Sequence, residues 1–168
     1  MSPILTANDF DAVTHSPAQT HAIGKRLGQL LRAGDVICLQ GELGTGKTCL
    51  TQGIGAGLNV TGVINSPTFV FVNEYRPASP GPCLYHIDLY RISDRIEILS
   101  LGLEDYIYGN GVTVIEWADR AREVIPHDRL WVTLDYTDHM KRSLVFEATG
   151  ERYREIVEAL RHDVYGGR

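Results

Sequence analysis

The stretch that decides the fold is Gly41-Glu42-Leu43-Gly44-Thr45-Gly46-Lys47-Thr48, in a chain of 168 residues. It matches the pattern G-x-x-x-x-G-K-[ST] at every fixed position. Glycines let the backbone turn with positive φ and approach phosphates closely, so that successive N–H groups form an anion-binding nest. The short apolar strand Val36–Leu39 precedes the stretch, and a helix is predicted over about 47–58. This strand–loop–helix order predicts a phosphate-binding P-loop rather than a chance match in a glycine-rich loop.

The chemistry of a P-loop gives each part of the stretch a role. Lys47 is expected to reach the β- and γ-phosphates of a nucleotide, and the Thr48 hydroxyl to be a ligand of Mg²⁺. The positive end of the following helix would point at the same phosphates. ATP and Mg²⁺ are therefore the expected cofactors, and the expected nucleotide-binding residues are Glu42, Leu43, Gly44, Thr45, Gly46, Lys47 and Thr48.

Two acidic residues are candidates to complete the metal site. Glu116 ends the apolar run Val112–Ile115, and Asp88 ends the run Leu84–Ile87. An acid at the carboxyl end of a parallel strand lies where α/β sheets bind ligands, although such a residue can also simply mark where a strand leaves the core. Glu116 is the better candidate for the metal because the sequence before it is more uniformly apolar.

Two further segments carry reactive side chains. Thr68, in Ser66-Pro67-Thr68-Phe69, could contact the γ-phosphate or the metal as mobile switch segments do, or could belong to an ordinary turn. His86 and Asp88 alternate along one predicted strand and therefore share a face, so they could share a site. The alternative is a hydrogen-bonded histidine at a strand end. Trp117, beside Glu116, is expected to be a packing residue.

The rest of the chain predicts an α/β, P-loop NTPase-like layered fold. We expect a mainly parallel central sheet with antiparallel edge strands and flanking helices, in a single domain over residues 1–168. Further helices are predicted at 16–32, 93–108 with a break at Gly102, 118–124 and 151–162, and further strands at 69–76, 84–88, 112–116, 130–134 and 143–146. The last two strands form a predicted antiparallel hairpin. The proline-rich segment Arg76–Pro82 is expected to be a surface loop.

Three glycines, Gly53, Gly55 and Gly57, lie inside the predicted helix that follows the P-loop. Each costs about 1 kcal/mol of helix stability relative to alanine. Close packing against a neighbouring element would explain them, and so would a frayed helix. The sequence leaves both explanations open.

Composition limits the classes of function. The net charge is −5, which is the wrong sign for a protein that binds nucleic acid by itself. Three scattered cysteines and an N-terminus without the features of a signal peptide indicate reduced thiols in the cytoplasm. Among them, Cys38 lies in an apolar run and is expected to be buried. No apolar run approaches the length that spans a bilayer, so no membrane partner is expected.

Four segments together resemble the TsaE (YjeE) family of bacterial P-loop ATPases. They are residues 41–48, Ser66-Pro67-Thr68-Phe69, His86-Ile87-Asp88-Leu89-Tyr90-Arg91 and Ile115-Glu116-Trp117, in an order and spacing that fit the family over about residues 16–136. The P-loop is common to many families, whereas the other three segments together are much more specific.

The resemblance implies an ATPase needed to make threonylcarbamoyladenosine in tRNA. It implies TsaD-like and TsaB-like protein partners, with tRNA contacted only indirectly through the complex. By the same resemblance, Thr48 and Glu116 would hold Mg²⁺, Lys47 would bind phosphate, Asp88 would support hydrolysis, and Thr68 would belong to a switch-like segment. The expected catalytic residues are therefore Lys47, Asp88 and Glu116.

Three other functions compete with an ATPase. A small-molecule kinase would use the same P-loop, but the sequence shows no glycine-bounded, arginine-rich lid. A GTP-dependent switch typically carries an Asn/Thr-Lys-x-Asp segment, which the sequence lacks. An adaptor would bind the nucleotide for stability alone and would not turn it over.

Overall fold

The protein is described by a computed structural model, which covers residues 8–67 and 71–166. Within these residues, seven strands form one sheet in the order β1-β7-β6-β2-β5-β4-β3. The strands are β1 (Asp9–Thr14), β2 (Val36–Gln40), β3 (Val72–Tyr75), β4 (Leu84–Asp88), β5 (Val112–Glu116), β6 (Arg129–Tyr136) and β7 (Arg142–Thr149). The helices are α1 (Pro17–Leu30), α2 (Lys47–Gly57), α3 (Arg95–Ser100), α4 (Glu104–Ile107) and α5 (Glu151–Arg161), with a 3₁₀ segment at Ala118–Val124 and a π-helical turn at His162–Gly166.

The centre of the sheet is parallel and its edges are antiparallel. Strand β2 pairs in parallel with β5 and β6, and β4 pairs in parallel with β5. At the edges, β3 runs antiparallel to β4, β7 to β6, and β1 to β7. The predicted fold class is confirmed. The register of β4 and β5 sets Asp88 opposite Glu116, so the two predicted acids meet at the carboxyl ends of neighbouring parallel strands.

Both faces of the sheet are covered by apolar side chains. One cluster packs the sheet against α1, α2 and α5, and a second packs it against α3, α4 and the 3₁₀ segment. Along β2, Ile37 and Leu39 belong to the first cluster and Val36 and Cys38 to the second. This two-sided burial explains why β2 is a continuous apolar run. Cys38 is fully buried, which confirms the prediction, and its burial raises the pKa of the thiol to about 12.

Strand β1 was not predicted from the sequence. Its residues alternate in burial, and its inward side chains Phe10 and Ala12 join the cluster beneath α1 and α5. The ring of Phe10 lies 5.4 Å from that of Phe146 on β7, centroid to centroid. Polar and apolar residues alternate over Asp9–Ala12, as is typical of a half-buried edge strand, but Val13 is exposed and Thr14 is buried.

Several predicted boundaries shift. Helix α1 ends at Leu30 rather than 32, while Ser16 caps its start by accepting a hydrogen bond from the Gln19 amide. The break predicted at Gly102 within 93–108 is confirmed: it separates the short helices α3 and α4, and Gly102 has a φ of +69°. Both hairpin strands are longer than predicted. Strand β3 begins at Val72, since Phe71 lies in a bend, and the predicted strand residues 69 and 70 lie outside the described residues. None of the helices in the described ranges is long and apolar enough to cross a membrane.

Glycines line the contact between α1 and α2. A Cβ atom built at Gly28 would lie 2.2 Å from the Ile54 carbonyl oxygen, and one at Gly53 would lie 2.2 Å from the His21 carbonyl oxygen. Gly57 meets α1 in the same way. Close packing is therefore the correct explanation for Gly53 and Gly57, and fraying is wrong. The contact fixes α2, and with it the P-loop at the N-terminus of α2.

Candidate functional site

The P-loop connects the end of β2 to the start of α2 through two glycines in the left-handed region. Gly44 has a φ of +77° and Gly46 a φ of +104°, conformations that residues with a Cβ adopt only at a cost. Side chains hold the loop on both sides. The Thr45 hydroxyl donates to the Glu42 carbonyl (2.7 Å), and the Tyr136 hydroxyl donates to the Leu43 carbonyl (2.8 Å). Helix α2 begins at Lys47, so its unpaired backbone N–H groups point toward the loop.

Lys47 lies across the loop and is 5% exposed. Its ammonium donates to the carbonyl oxygens of Gly41 (2.6 Å) and Glu42 (2.8 Å). It also lies 4.4 Å from the centroid of the Trp117 ring, within cation–π range. Burial lowers the pKa of Lys47, whereas the nearby carboxylates of Glu116 and Asp88 act to raise it. The Lys47 ammonium is thus bound by two neutral carbonyl oxygens, and the side chain is largely buried.

Thr48 lies between Glu116 and Ser66. Its hydroxyl is 3.1 Å and 3.3 Å from the two carboxylate oxygens of Glu116 and 2.9 Å from the Ser66 hydroxyl. Carboxylate and hydroxyl oxygens, with phosphate oxygens and waters, are the ligands that Mg²⁺ takes in nucleotide sites. The donor set therefore fits the predicted metal, with Thr48 and Glu116 adjacent as expected. Within the described ranges, no group of three or more His, Cys, Asp or Glu residues is placed to hold a metal ion.

His86 and Glu116 form a buried pair behind Thr48. His86 is 0% exposed and Glu116 is 2% exposed. The Nε2 atom of His86 makes a hydrogen bond with Oε2 of Glu116. The other ring nitrogen, Nδ1, has no hydrogen-bond partner among residues 8–67 and 71–166. The sequence placed His86 and Asp88 on one face, but it did not predict that His86 contacts Glu116.

Asp88 lies next to this pair, at the end of β4 and opposite Glu116 in the sheet. Its Oδ1 atom accepts a hydrogen bond from the Tyr90 amide at 2.9 Å. Burial raises the pKa of Asp88, and the charge of Glu116 raises it further, against the lowering effect of the Tyr90 hydrogen bond. The Asp88 carboxyl group is therefore more basic than an exposed one and lies close to where a phosphate would bind.

A cavity of about 770 Å³ lies over the P-loop. Gly44, Lys47 and Thr48 line it, and so do Asp88 and Glu116 from the ends of β4 and β5. Its volume falls in the range of small-molecule sites. The structure brings the predicted catalytic and metal-binding residues together around one cavity. Thr68 lies outside the described residues.

Two aromatic residues at the site were not given a functional role by the sequence. Trp117 has a φ of +59° and packs its ring between Lys47, Tyr90 (centroids 5.1 Å apart) and the Arg120 guanidinium (5.0 Å). It packs as predicted, but against the P-loop lysine. Tyr136 fastens the loop from β6, and no pattern in the sequence pointed to it. The Ile115-Glu116-Trp117 segment was the available signal for Trp117.

Comparisons with known proteins give a consistent result. The family model described as "Threonylcarbamoyl adenosine biosynthesis protein TsaE" matches residues 14–144. A protein of Bacillus subtilis (strain 168) named tRNA threonylcarbamoyladenosine biosynthesis protein TsaE is 40% identical over 151 residues, covering 89% of this chain and 93% of that protein. A Streptomyces coelicolor protein of the same name is 41% identical over 138 residues, covering 78% and 91%.

A solved structure is also similar to this chain. The crystal structure of Bacillus subtilis YdiB aligns with a TM-score of 0.80 and 35% sequence identity. The alignment covers 96% of this chain and 99% of that one. The likeness therefore extends over nearly the whole of both chains.

Proposed function

The chain belongs to the TsaE family of threonylcarbamoyl adenosine biosynthesis proteins, as its four sequence segments predicted, and we propose that it serves that pathway by binding and hydrolysing ATP with Mg²⁺. One observation carries the proposal: the P-loop lysine and threonine, Lys47 and Thr48, lie around a single cavity with the strand-end acids Asp88 and Glu116. This is the arrangement by which P-loop proteins position a triphosphate and its metal.

We assign phosphate binding and metal binding to different residues of the site. The amides of Gly44 to Thr48 at the start of α2 surround the phosphates, and the positive end of the helix favours their charge. The Lys47 ammonium exchanges the carbonyls of Gly41 and Glu42 for phosphate oxygens, which are stronger partners for a cation. Thr48 and Glu116 would hold Mg²⁺, which would supply positive charge to neutralise the phosphates.

Asp88 is proposed to orient the attacking water and accept its proton. Its side chain lines the cavity beside Glu116, and its raised pKa makes it a better proton acceptor than an exposed aspartate. By family resemblance, Thr68 is proposed to belong to a switch-like segment. Lys47, Asp88 and Glu116 are thus the residues to which we assign catalysis.

The partners proposed are TsaD-like and TsaB-like proteins in the cytoplasm, with tRNA reached only through them. The net charge of −5 supports this division because a protein that binds RNA alone usually has a basic surface. ATP turnover would then change how the protein engages its partners rather than modify the tRNA directly.

The proposal is tested by following the γ-phosphate of labelled ATP, with and without TsaB-like and TsaD-like proteins. Release as free phosphate, dependent on Mg²⁺ and lost in Thr48→Ala, is the expected result. Thr61→Ala, which removes an exposed hydroxyl on the loop after α2, is the matched control and should leave release unchanged. Transfer of the label to a metabolite would instead establish a kinase, and binding without turnover in every mixture would establish an adaptor.

A further inference from the structure

We propose that His86 is a positioning residue that fixes the orientation of the Glu116 carboxylate beside Thr48, an inference that rests on the Mg²⁺-dependent ATP binding proposed above. His86 has no assigned role in that function. Its position in the sheet, its burial and its hydrogen bond to Glu116 together carry the inference.

The sheet register brings His86 and Glu116 together. Strand β4 pairs in parallel with β5, with His86 opposite Val114 and Asp88 opposite Glu116. Side chains two residues apart along a strand share a face, so His86 projects from the same face as Asp88, and Val114 from the same face as Glu116. Residues opposite each other in the pairing also share a face, so both pairs lie on one side of the sheet. That side is the one covered by α2, since Val114 packs in the cluster that contains Leu50 and Ile54 of α2. His86 therefore lies behind Glu116 as seen from the cavity.

The contact with Thr48 alone does not fix the orientation of the Glu116 carboxylate. Its hydroxyl is 3.1 Å from Oε1 and 3.3 Å from Oε2 of Glu116, which are nearly equal distances. The hydrogen bond from His86 reaches only Oε2. Because a carboxylate can only accept, the Nε2 atom of His86 carries the shared proton. His86 is thus the contact that distinguishes the two oxygens and leaves Oε1 directed toward Thr48.

The burial of His86 is also hard to explain by packing alone. The ring is fully buried, and its Nδ1 atom has no hydrogen-bond partner within the part of the chain that the structure describes. A buried polar atom without a partner costs free energy, which an aliphatic residue of similar size would avoid. The hydrogen bond to Glu116 is the compensating contact. Groups that hold a metal ligand in place in this way commonly control metal affinity.

The test compares two substitutions that fill the same space differently. His86→Gln keeps an N–H group near the position of Nε2, whereas His86→Leu removes every donor. Nucleotide affinity is measured by calorimetry with Mg²⁺ and again in EDTA, and thermal unfolding is followed for each variant. We expect His86→Leu to lose affinity about tenfold or more with Mg²⁺, the effect typical of losing a group that orients a metal ligand. Its affinity in EDTA should match that of the wild type, and His86→Gln should keep most of the Mg²⁺-dependent gain.

A third variant keeps the test decisive where His86→Leu does not fold. His86→Asn retains an amide group, but the asparagine side chain is short and places its N–H group near the position of Nδ1. That group therefore does not reach Glu116. His86→Asn should lose the Mg²⁺-dependent gain while His86→Gln keeps it. If all the folded variants gain as much affinity from Mg²⁺ as the wild type, His86 is not a positioning residue and the proposed function still stands. If the wild type itself does not bind ATP, both proposals are overturned.

Discussion

Two glycine-rich regions of the molecule use the same residue for different physical reasons. In the P-loop, Gly44 and Gly46 adopt positive φ values of +77° and +104°. In the α1–α2 contact, Gly28 and Gly53 are helical, and what excludes a side chain there is backbone 2.2 Å from where a Cβ would lie. The first region needs glycine for its conformation, and the second needs it for close approach. The two regions are connected because α2 carries the loop at its N-terminus and the contact along its length.

The largest effect is expected in the packed contact. Gly53→Val would force α1 and α2 apart, because its Cβ would lie 2.2 Å from the His21 carbonyl oxygen. Overfilling a packed contact costs about 1–3 kcal/mol or more, and we expect about 3 kcal/mol less free energy of unfolding. Urea denaturation measures this loss. A variant as stable as the wild type would show that the helices are not in tight contact.

The next largest effect is expected in the loop, on binding rather than on stability. Lys47→Ala removes the cation that faces the phosphates, and hydrogen bonds to charged groups are worth about 1.5–3 kcal/mol. We expect affinity for ATP to fall about 30-fold, with the free energy of unfolding little changed. Lys25→Ala, at an exposed lysine of α1, is the control for loss of charge. Calorimetry that finds unchanged affinity in Lys47→Ala would argue against phosphate binding at this loop.

A smaller effect, which depends on Mg²⁺, is expected at Glu116, the last residue of β5. Glu116→Gln keeps the shape of the side chain but weakens it as a metal ligand, so ATP affinity should fall about tenfold when Mg²⁺ is present. In EDTA the variant and the wild type should bind alike. Glu155→Gln, at an exposed position of α5, is the charge-matched control. Equal losses in both conditions would mean that the substitution disturbs the fold rather than the metal.

The smallest effect is expected at Gly34, where a substitution strains the backbone without causing a steric clash. Gly34 has a φ of +94°, and a Cβ built there would meet no atom within 4 Å. Gly34→Ala should therefore cost only the backbone strain, about 1 kcal/mol. Denaturation in parallel with Gly53→Val measures the difference. Equal destabilisation by the two substitutions would remove the distinction between glycines that turn and glycines that pack.

The sequence predicted what depends on local pattern. The order β2, P-loop, α2 follows from an apolar run, a spaced glycine motif and a helix-compatible segment, and α2 begins at Lys47 as expected. The strand ends at Asp88 and Glu116 were also located correctly, because apolar runs end where strands leave the core. The break predicted at Gly102 is confirmed, because α3 ends before this glycine and α4 begins after it.

What the sequence did not predict depends on contacts between distant segments. Gly53 and Gly57 left two explanations open because the sequence does not show that α1 crosses α2 at those positions. The hydrogen bond between His86 and Glu116 depends on the register of β4 against β5, and the bond from Tyr136 to the loop joins residues 93 positions apart. Edge strand β1 was not predicted, because polar and apolar residues alternate only over Asp9–Ala12, and the pattern reverses at the exposed Val13 and the buried Thr14.

The central claim is that the backbone amides of the 41–48 loop bind the phosphates of ATP. Titration of ¹⁵N-labelled protein with ATP and Mg²⁺, followed by amide NMR, tests it most directly. The account predicts that the largest shifts occur at the amides of Gly44, Gly46, Lys47 and Thr48, and that Lys47→Ala requires far more nucleotide to produce them. Saturable binding with these four amides unmoved, and with shifts confined to another part of the chain, would contradict it.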